Sequence, residues 1–259
     1  YTVTITDTSA NASDLNTINA ATTVAVDASS ITSLSGSASD LAAVYAAAPA
    51  QISGLGNETV TVTGTSATAS DLNTINSGTS VQVNATSVTS ISGTADDFRT
   101  LTTQATTIPE DLEADPPVEG FTKTIDLAST FAATVTSGSL SVSDANALDA
   151  INGSGEITAT ISNGTVSSLK TLTGTHAYTV TITDTSANAS DLNTIDGATS
   201  VKVTATAVNN VTGSALAFDT LVSGITADTI DLAANFAATA SDSLSVTQAN
   251  ALDLVNGSG

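Results

Sequence analysis

The sequence predicts a repeat solenoid of mixed β and α character, with right-handed, parallel β-strands stacked in coils and a short capped helix closing most coils. Three observations predict it. Long segments recur along the 259 residues. Each recurring unit passes from two-residue alternation of apolar side chains to three- and four-residue spacing. The passage is marked, unit after unit, by the same helix-capping chemistry. A pure parallel β-helix is the alternative architecture.

The repeats come first. Residues 1–18, YTVTITDTSANASDLNTI, recur unchanged at 178–195, and a diverged copy, TVTVTGTSATASDLNTIN, occupies 59–76. SLSVSDANALDAING from Ser139 is matched by SLSVTQANALDLVNG from Ser243, and TIDLASTFAAT from Thr124 by TIDLAANFAAT from Thr229. Equivalent apolar positions lie 26 residues apart, from Leu15 to Leu41, Leu72 to Phe98 and Leu192 to Phe218. That is one supersecondary unit per coil, and the chain is long enough for roughly eight to ten coils.

The strand halves alternate Val3 and Ile5, Val24 and Val26, Val60 and Val62, Val81 and Val83, Val180 and Ile182, Val201 and Val203. β-branched residues at period two, bounded by Gly, Asn and Ser, favour strands. The helical halves read SASDLAAVYAAA, TASDLNTIN and TADDFRTLTT, with apolar residues at helical spacing. Ser37 with Asp40, Thr68 with Asp71, Thr94 with Asp97 and Ser141 with Asp144 repeat a cap-and-acid spacing; Asn11 with Asp14 and Asn188 with Asp191 put Asn at the cap. Ser214 keeps the cap, but Ala217 replaces the acid. A strand joined to the next strand through a helix is expected to pair in parallel and cross over right-handed. Residues 155–174 read as a coil without a helix. Five phenylalanines and three tyrosines leave a narrow interior filled by aliphatic side chains, with Phe98, Phe131, Phe218 and Phe236 at repeat-equivalent core positions.

One segment departs from the pattern and divides the chain into coils 1–105, an insertion or hinge at 106–123, and coils 124–259. The insertion, TTIPEDLEADPPVEGFTK, holds Pro109, Pro116 and Pro117 among Glu110, Asp111, Glu113, Asp115 and Glu119. Proline suits neither a central strand nor a helix interior.

Composition removes several functions. Four cations against 25 acids, a formal net charge of −21, cannot neutralise a phosphate backbone or grip an anionic membrane surface. No run approaches the length of a membrane helix, and without cysteine there is no thiol nucleophile, disulfide or Cys zinc site. Arg99, Lys123, Lys170 and Lys202 are too scattered for an anion clamp. The single histidine, His176, lacks a recognisable triad context, and no P-loop or dinucleotide fingerprint occurs. No catalytic, cofactor-binding or metal-ligating residue is therefore assigned, and the chain reads as non-enzymatic. Weakly bound calcium is the only ion the acidity suggests, because the Asp residues are already explained as helix caps and no calcium-loop motif is present. Threonine rows at Thr2, Thr4, Thr6 and Thr59, Thr61, Thr63 suggest an ice-binding face, but Ala25, Gln82 and Lys202 break them. Sequons at Asn11, Asn57, Asn84, Asn163, Asn188 and Asn210, with further ones at Asn152 and Asn256, offer possible glycosylation sites.

The run SDLNTINAATTVAVDASSITSLSGSASDLAAVYAAA, with ISGLGNETVTVTGTSATASDLNTIN, resembles the repeat regions of giant secreted bacterial cell-surface proteins, the adhesin-like proteins of cyanobacteria among them. The resemblance covers nearly all of the chain except 106–123. It implies export to the cell surface or beyond, a structural or adhesive role, and no catalytic residues to transfer. Tyr1 in place of an initiator methionine suggests a processed chain or a piece of a longer one, and both ends are expected to present open coil faces. The expected function is a non-enzymatic extracellular structural protein stacking end to end into a fibre. An adhesin stalk binding a surface or glycan, and a calcium- or ice-binding solenoid, are the alternatives. Its expected partners are copies of itself or flanking repeats at both ends, with glycans as a further candidate, and neither nucleic acid nor membrane insertion is expected.

Overall fold

The computed structural model describes residues 3–106 and 124–256. The described chain runs β1 (Val3–Thr4), β2 (Ser9–Asn11), α1 (Ala12–Ala20), β3 (Val26–Asp27), β4 (Ser33–Gly36), α2 (Ala38–Ala47), β5 (Ile52–Ser53), β6 (Thr59–Val62), β7 (Ser66–Thr68), α3 (Ala69–Gly78), β8 (Val83–Ala85), β9 (Ser90–Thr94) and α4 (Ala95–Ala105). It continues with β10 (Ile125–Leu127), β11 (Ala132–Ser137), α5 (Val142–Asn152), β12 (Ile157–Thr160), α6 (Val166–Leu169), β13 (Ala177–Thr179), β14 (Ser186–Asn188) and α7 (Ala189–Gly197). The last elements are β15 (Val203–Ala205), β16 (Asn210–Gly213), α8 (Ala215–Thr226), β17 (Ile230–Leu232), β18 (Ala237–Ala240) and α9 (Val246–Asn256). The fold is mixed α/β, and every strand pairing named below is parallel. Helices recur throughout, so the pure β-helix does not describe it.

The chain divides into two compact units, Tyr1–Ser137 with Ala150–Gly155, and Gly138–Asp149 with Glu156–Gly259. In the first unit, β1, β3 and β5 form one ladder; β2, β4, β6, β8 and β10 a second; β7, β9 and β11 a third. Each step pairs a strand with its counterpart one repeat away, as in Asn11 with Ser35, Ser35 with Thr61, Thr61 with Asn84 and Asn84 with Asp126. In the second unit β12 pairs with β13, β14 with β16 and β16 with β18, and β15 with β17. The residues on the exposed side of the second ladder therefore run Asn, Ser, Thr, Asn, Asp, and no continuous threonine row forms there.

The side chains pointing inward make the core. Leu15, Leu34, Leu41, Ile52, Leu72, Ile75 and Ile91 are buried in the first unit, and Leu192, Ile195, Val211, Phe218 and Phe236 in the second. Burying each side chain of this size is worth about 1.5–3 kcal/mol. The four core phenylalanines expected from the repeat, Phe98, Phe131, Phe218 and Phe236, are all buried. Neighbouring coils meet through a small-on-small contact: a Cβ added at Gly36, Gly93 or Gly213 would sit 2.8–2.9 Å from the Cβ of Ala12, Ala69 or Ala189.

Two sequence expectations are corrected. Val24 and Val201 are exposed, because the strands begin only at Val26 and Val203; the alternation in the sequence starts before the ladder does. Residues 155–174 are not free of helix: Val166–Leu169 make one turn, burying Val166 and Leu169. The division at 106–123 falls almost wholly outside the described residues.

Candidate functional site

The capping residues lie where the repeats put them, at the N-terminus of each helix. The backbone N–H of Asp40 donates to Ser37 Oγ at 3.1 Å, that of Asp71 to Thr68 Oγ1 at 3.0 Å, and that of Asp97 to Thr94 Oγ1 at 3.1 Å. At Thr94 the bond is reciprocal, because the backbone N–H of Thr94 reaches Asp97 Oδ2 at 3.3 Å. Asn11 and Asn188 cap differently: each accepts from the N–H two residues on, Ser13 and Ser190, so Asp14 and Asp191 are not partners of the cap. Asp191 instead receives Lys170 Nζ at 3.1 Å. Removing such a cap costs on the order of 1 kcal/mol, which places these residues in the scaffold.

Two devices escaped sequence reasoning because their partners lie a whole coil away. The first is an asparagine clamp. Nδ2 of Asn16 donates to the carbonyl of Asp40, Asn73 to Asp97, Asn193 to Ala217 and Asn146 to Thr171, at 2.7–2.9 Å. Each ties one helix to the backbone 24 or 25 residues later. The second is a cap supplied by the following coil. The N–H groups of Val142, Val166 and Ala215 donate to Asn163 Oδ1, Asp184 Oδ2 and Asp242 Oδ1 at 2.8, 2.6 and 2.6 Å. Asp242 thus compensates for the acid missing beside Ser214. The recurring DLN triplet was the available signal for the clamp at Asn16, Asn73 and Asn193, while Asn146 stands in Asp144-Ala145-Asn146.

The strongest buried polar cluster in the first unit surrounds Glu58, which is 1% exposed. Its carboxylate accepts from the N–H groups of Gly56 and Asn57 at 2.7 and 3.1 Å and from the Tyr45 hydroxyl. A buried carboxylate is tolerated only when its lone pairs are filled in this way. Burial, then the Glu58 carboxylate, pushes the Tyr45 phenol well above its ordinary range. The arrangement locks the 54–58 turn and has no reactive atom open to a substrate.

The second cluster gathers His176, Asp149 and Tyr178. The Ile157 N–H donates to His176 Nδ1 at 3.2 Å, so that nitrogen carries the lone pair, and Nε2 donates to Asp149 Oδ1 at 2.8 Å. Burial works to raise the Asp149 carboxyl, but bonds from the Thr173 hydroxyl and His176 outweigh it and hold the group below its usual range. Gly174 lies against the pair with φ +71°, and a Cβ there would fall 2.5 Å from His176 Nε2. Both ring nitrogens are occupied, so the cluster is a fastener between residues 149 and 176. Tyr178 meets the imidazole edge-on at 5.2 Å. Burial, with the nearby Asp149 charge, raises its phenol as well.

Those two phenols give a pH dependence with a definite sign. Below about pH 10 both are neutral whether the chain is folded or unfolded, and their contribution is fully present. Above it, only the unfolded phenols ionise readily, so stability falls as pH rises. The urea midpoint is expected to drop between pH 9 and 11, and less so in a Tyr45→Phe, Tyr178→Phe double variant. Equal pH dependence in both proteins would refute the assignment.

The remaining candidates are dispersed. Lys202 bonds Asp228, which raises its amine, and Arg99 pairs with Asp96. Among the described residues, no group of three or more His, Asp or Glu side chains converges on a point, and no helix is long and apolar enough to cross a membrane. Of the sequons, Asn57, Asn84 and Asn210 are exposed, as are the capping Asn11 and Asn188; Asn163 is half-buried as the cap of α5. Asn152 and Asn256 are buried. Comparisons with protein-family models, curated proteins and solved structures each return no match for this chain.

Proposed function

We propose that the protein is a non-enzymatic, extracellular structural protein, a right-handed repeat solenoid that stacks end to end into a fibre. The observation that carries this reading is where the polar chemistry goes. Asn16, Asn73, Asn146 and Asn193, the coil-to-coil caps, Glu58 and the His176–Asp149 pair all satisfy backbone or structural partners. A chain built this way spends its directional groups on joining one coil to the next. Such nearest-neighbour architecture extends without limit when another coil is added, and a heterologous end face generates an open filament. The high negative charge suits a surface exposed to the medium and keeps the parallel ladders from lateral aggregation.

Negative-stain electron microscopy of the purified chain at rising concentration tests the reading. Unbranched fibres one chain wide are expected. Particles that stay discrete at every concentration would overturn the fibre and leave the adhesin stalk as the better account.

A further inference from the structure

The two SLSV modules of the chain carry the same contact residues in different surroundings. In the first, the next coil covers them. The Leu140 N–H donates to the Thr160 carbonyl at 3.0 Å and its carbonyl receives the Ser162 N–H at 2.8 Å, as a parallel bridge to Ile161. The Val142 N–H reaches Asn163 Oδ1. Asn146 donates to the Thr171 carbonyl and accepts from the Thr173 N–H at 3.0 Å. Asp149 holds His176. Leu140 and Val142 are 1% and 6% exposed as a result.

In the second module every one of these residues is retained at the same spacing, as Leu244, Val246, Asn250 and Asp253. Yet Val246 is 77% exposed, Asn250 and Asp253 are exposed, and Leu254, which stands where the first module has alanine, is 84% exposed. Large apolar side chains this open, set among directional groups that bond no side chain or backbone among the described residues, mark an interaction surface. Its strand edge, β18, is paired with β16.

We propose that the face formed by residues 244–254 is a docking site for a coil of the chemistry found at 156–176. The occupant brings a short strand with alternating β-branched residues, an Asn-Gly turn seven residues after its first residue, a single helical turn, and a histidine positioned to meet Asp253. The strand bridges Leu244, the asparagine caps the Val246 N–H, and backbone groups engage both ends of the Asn250 amide. The proposal rests on the coil-on-coil contact of the stacking reading and departs from it in the occupant of this face, a flanking coil in place of a second copy. A second copy of this chain is the poorer occupant: its single histidine is already buried against Asp149. Its first coil offers Thr22 where the occupant needs His176.

The chain itself supplies the test, because residues 256–259 repeat the Asn-Gly-Ser-Gly of 152–155 that leads into Glu156. Residues 156–178 are appended after Gly259, and amide hydrogen exchange is followed at 244–254 in the dilute protein. Protection is expected to rise at least tenfold over the parent chain. It is expected to fall back with Asn250→Ala or Asp253→Asn, and not to rise with a scrambled segment of the same composition. The free 156–178 peptide, labelled and titrated against the parent chain, is expected to show saturable anisotropy that the same two substitutions weaken. Unchanged protection in the extended chain would overturn the proposal, as would equal protection by the scrambled segment. So would concentration-dependent dimers of the parent chain that protect the same amides, which would assign the face to a second copy. The readout is local and made below fibre-forming concentrations. A chain that takes the coil without forming fibres would keep this inference and lose the fibre, and fibres without local protection would do the reverse.

Discussion

Alanine at Gly155 is expected to cost about 3 kcal/mol of folding stability, near the top of the range for overpacking a core. An added Cβ would lie 1.9 Å from the Phe131 carbonyl oxygen, 2.4 Å from its carbon and 3.1 Å from the Ala132 nitrogen. These are backbone atoms at the start of β11, so no side chain can swing away. Ala132 is fixed in turn by its N–H bond to the Thr89 carbonyl at 2.9 Å. Gly155 is itself held by Asn152, which donates Nδ2 to its carbonyl at 2.6 Å and accepts its N–H on the backbone carbonyl at 3.2 Å. Either the turn or the ladder must give. Gly197→Ala is the matched control, because no atom lies within 4 Å of a Cβ there and the residue ends α7. That change is expected to stay within about 1 kcal/mol of the parent, on the stabilising side. Urea melts of the two variants check the pair, and equal midpoints would refute the contact.

Glu58→Ala is the second large effect, a loss of about 3 kcal/mol. The substitution removes a carboxylate and leaves the Gly56 and Asn57 N–H groups and the Tyr45 hydroxyl without their acceptor in a buried place. Each stranded donor costs about 1–3 kcal/mol, partly relieved where water enters. Tyr45→Phe removes one donor and leaves the carboxylate with two, so its cost is expected to be about 1 kcal/mol. The two changes share a bond and are therefore expected to be non-additive. Additive losses in the double variant, measured by urea denaturation, would show that the tyrosine and the glutamate act independently.

Much of this architecture is legible in the sequence because it is written locally. Ser37, Thr68 and Thr94 announce helix starts three residues before the N–H they cap, and the apolar residues at 26-residue intervals occupy the core as the period requires. Strand limits are less legible. Val24 and Val201 continue the alternation of their strands, yet no neighbouring backbone covers them, and burial depends on that neighbour. Apart from the asparagines of the DLN triplets, the polar fasteners were illegible for the same reason. Nothing within reach of Asn146 in the sequence distinguishes it from a surface asparagine, and its partners are 25 and 27 residues away. His176 shows no recognisable partner in the sequence because Asp149 lies 27 positions before it. The open face at 244–254 becomes visible only when the two SLSV modules are compared in place, since their sequences agree and their exposures do not.

The stacking of coils in register can be measured directly, and the absence of cysteine makes it practical. Cysteines placed at Asn11 and Asp126 carry spin labels on the same ladder, separated by four strand steps through Ser35, Thr61 and Asn84. At about 4.8 Å per step the backbone positions are about 19 Å apart. A single narrow distance distribution near that value, from double electron–electron resonance, is the expected result. A separation beyond about 30 Å, or a distribution without a dominant peak, would contradict parallel coil-on-coil pairing.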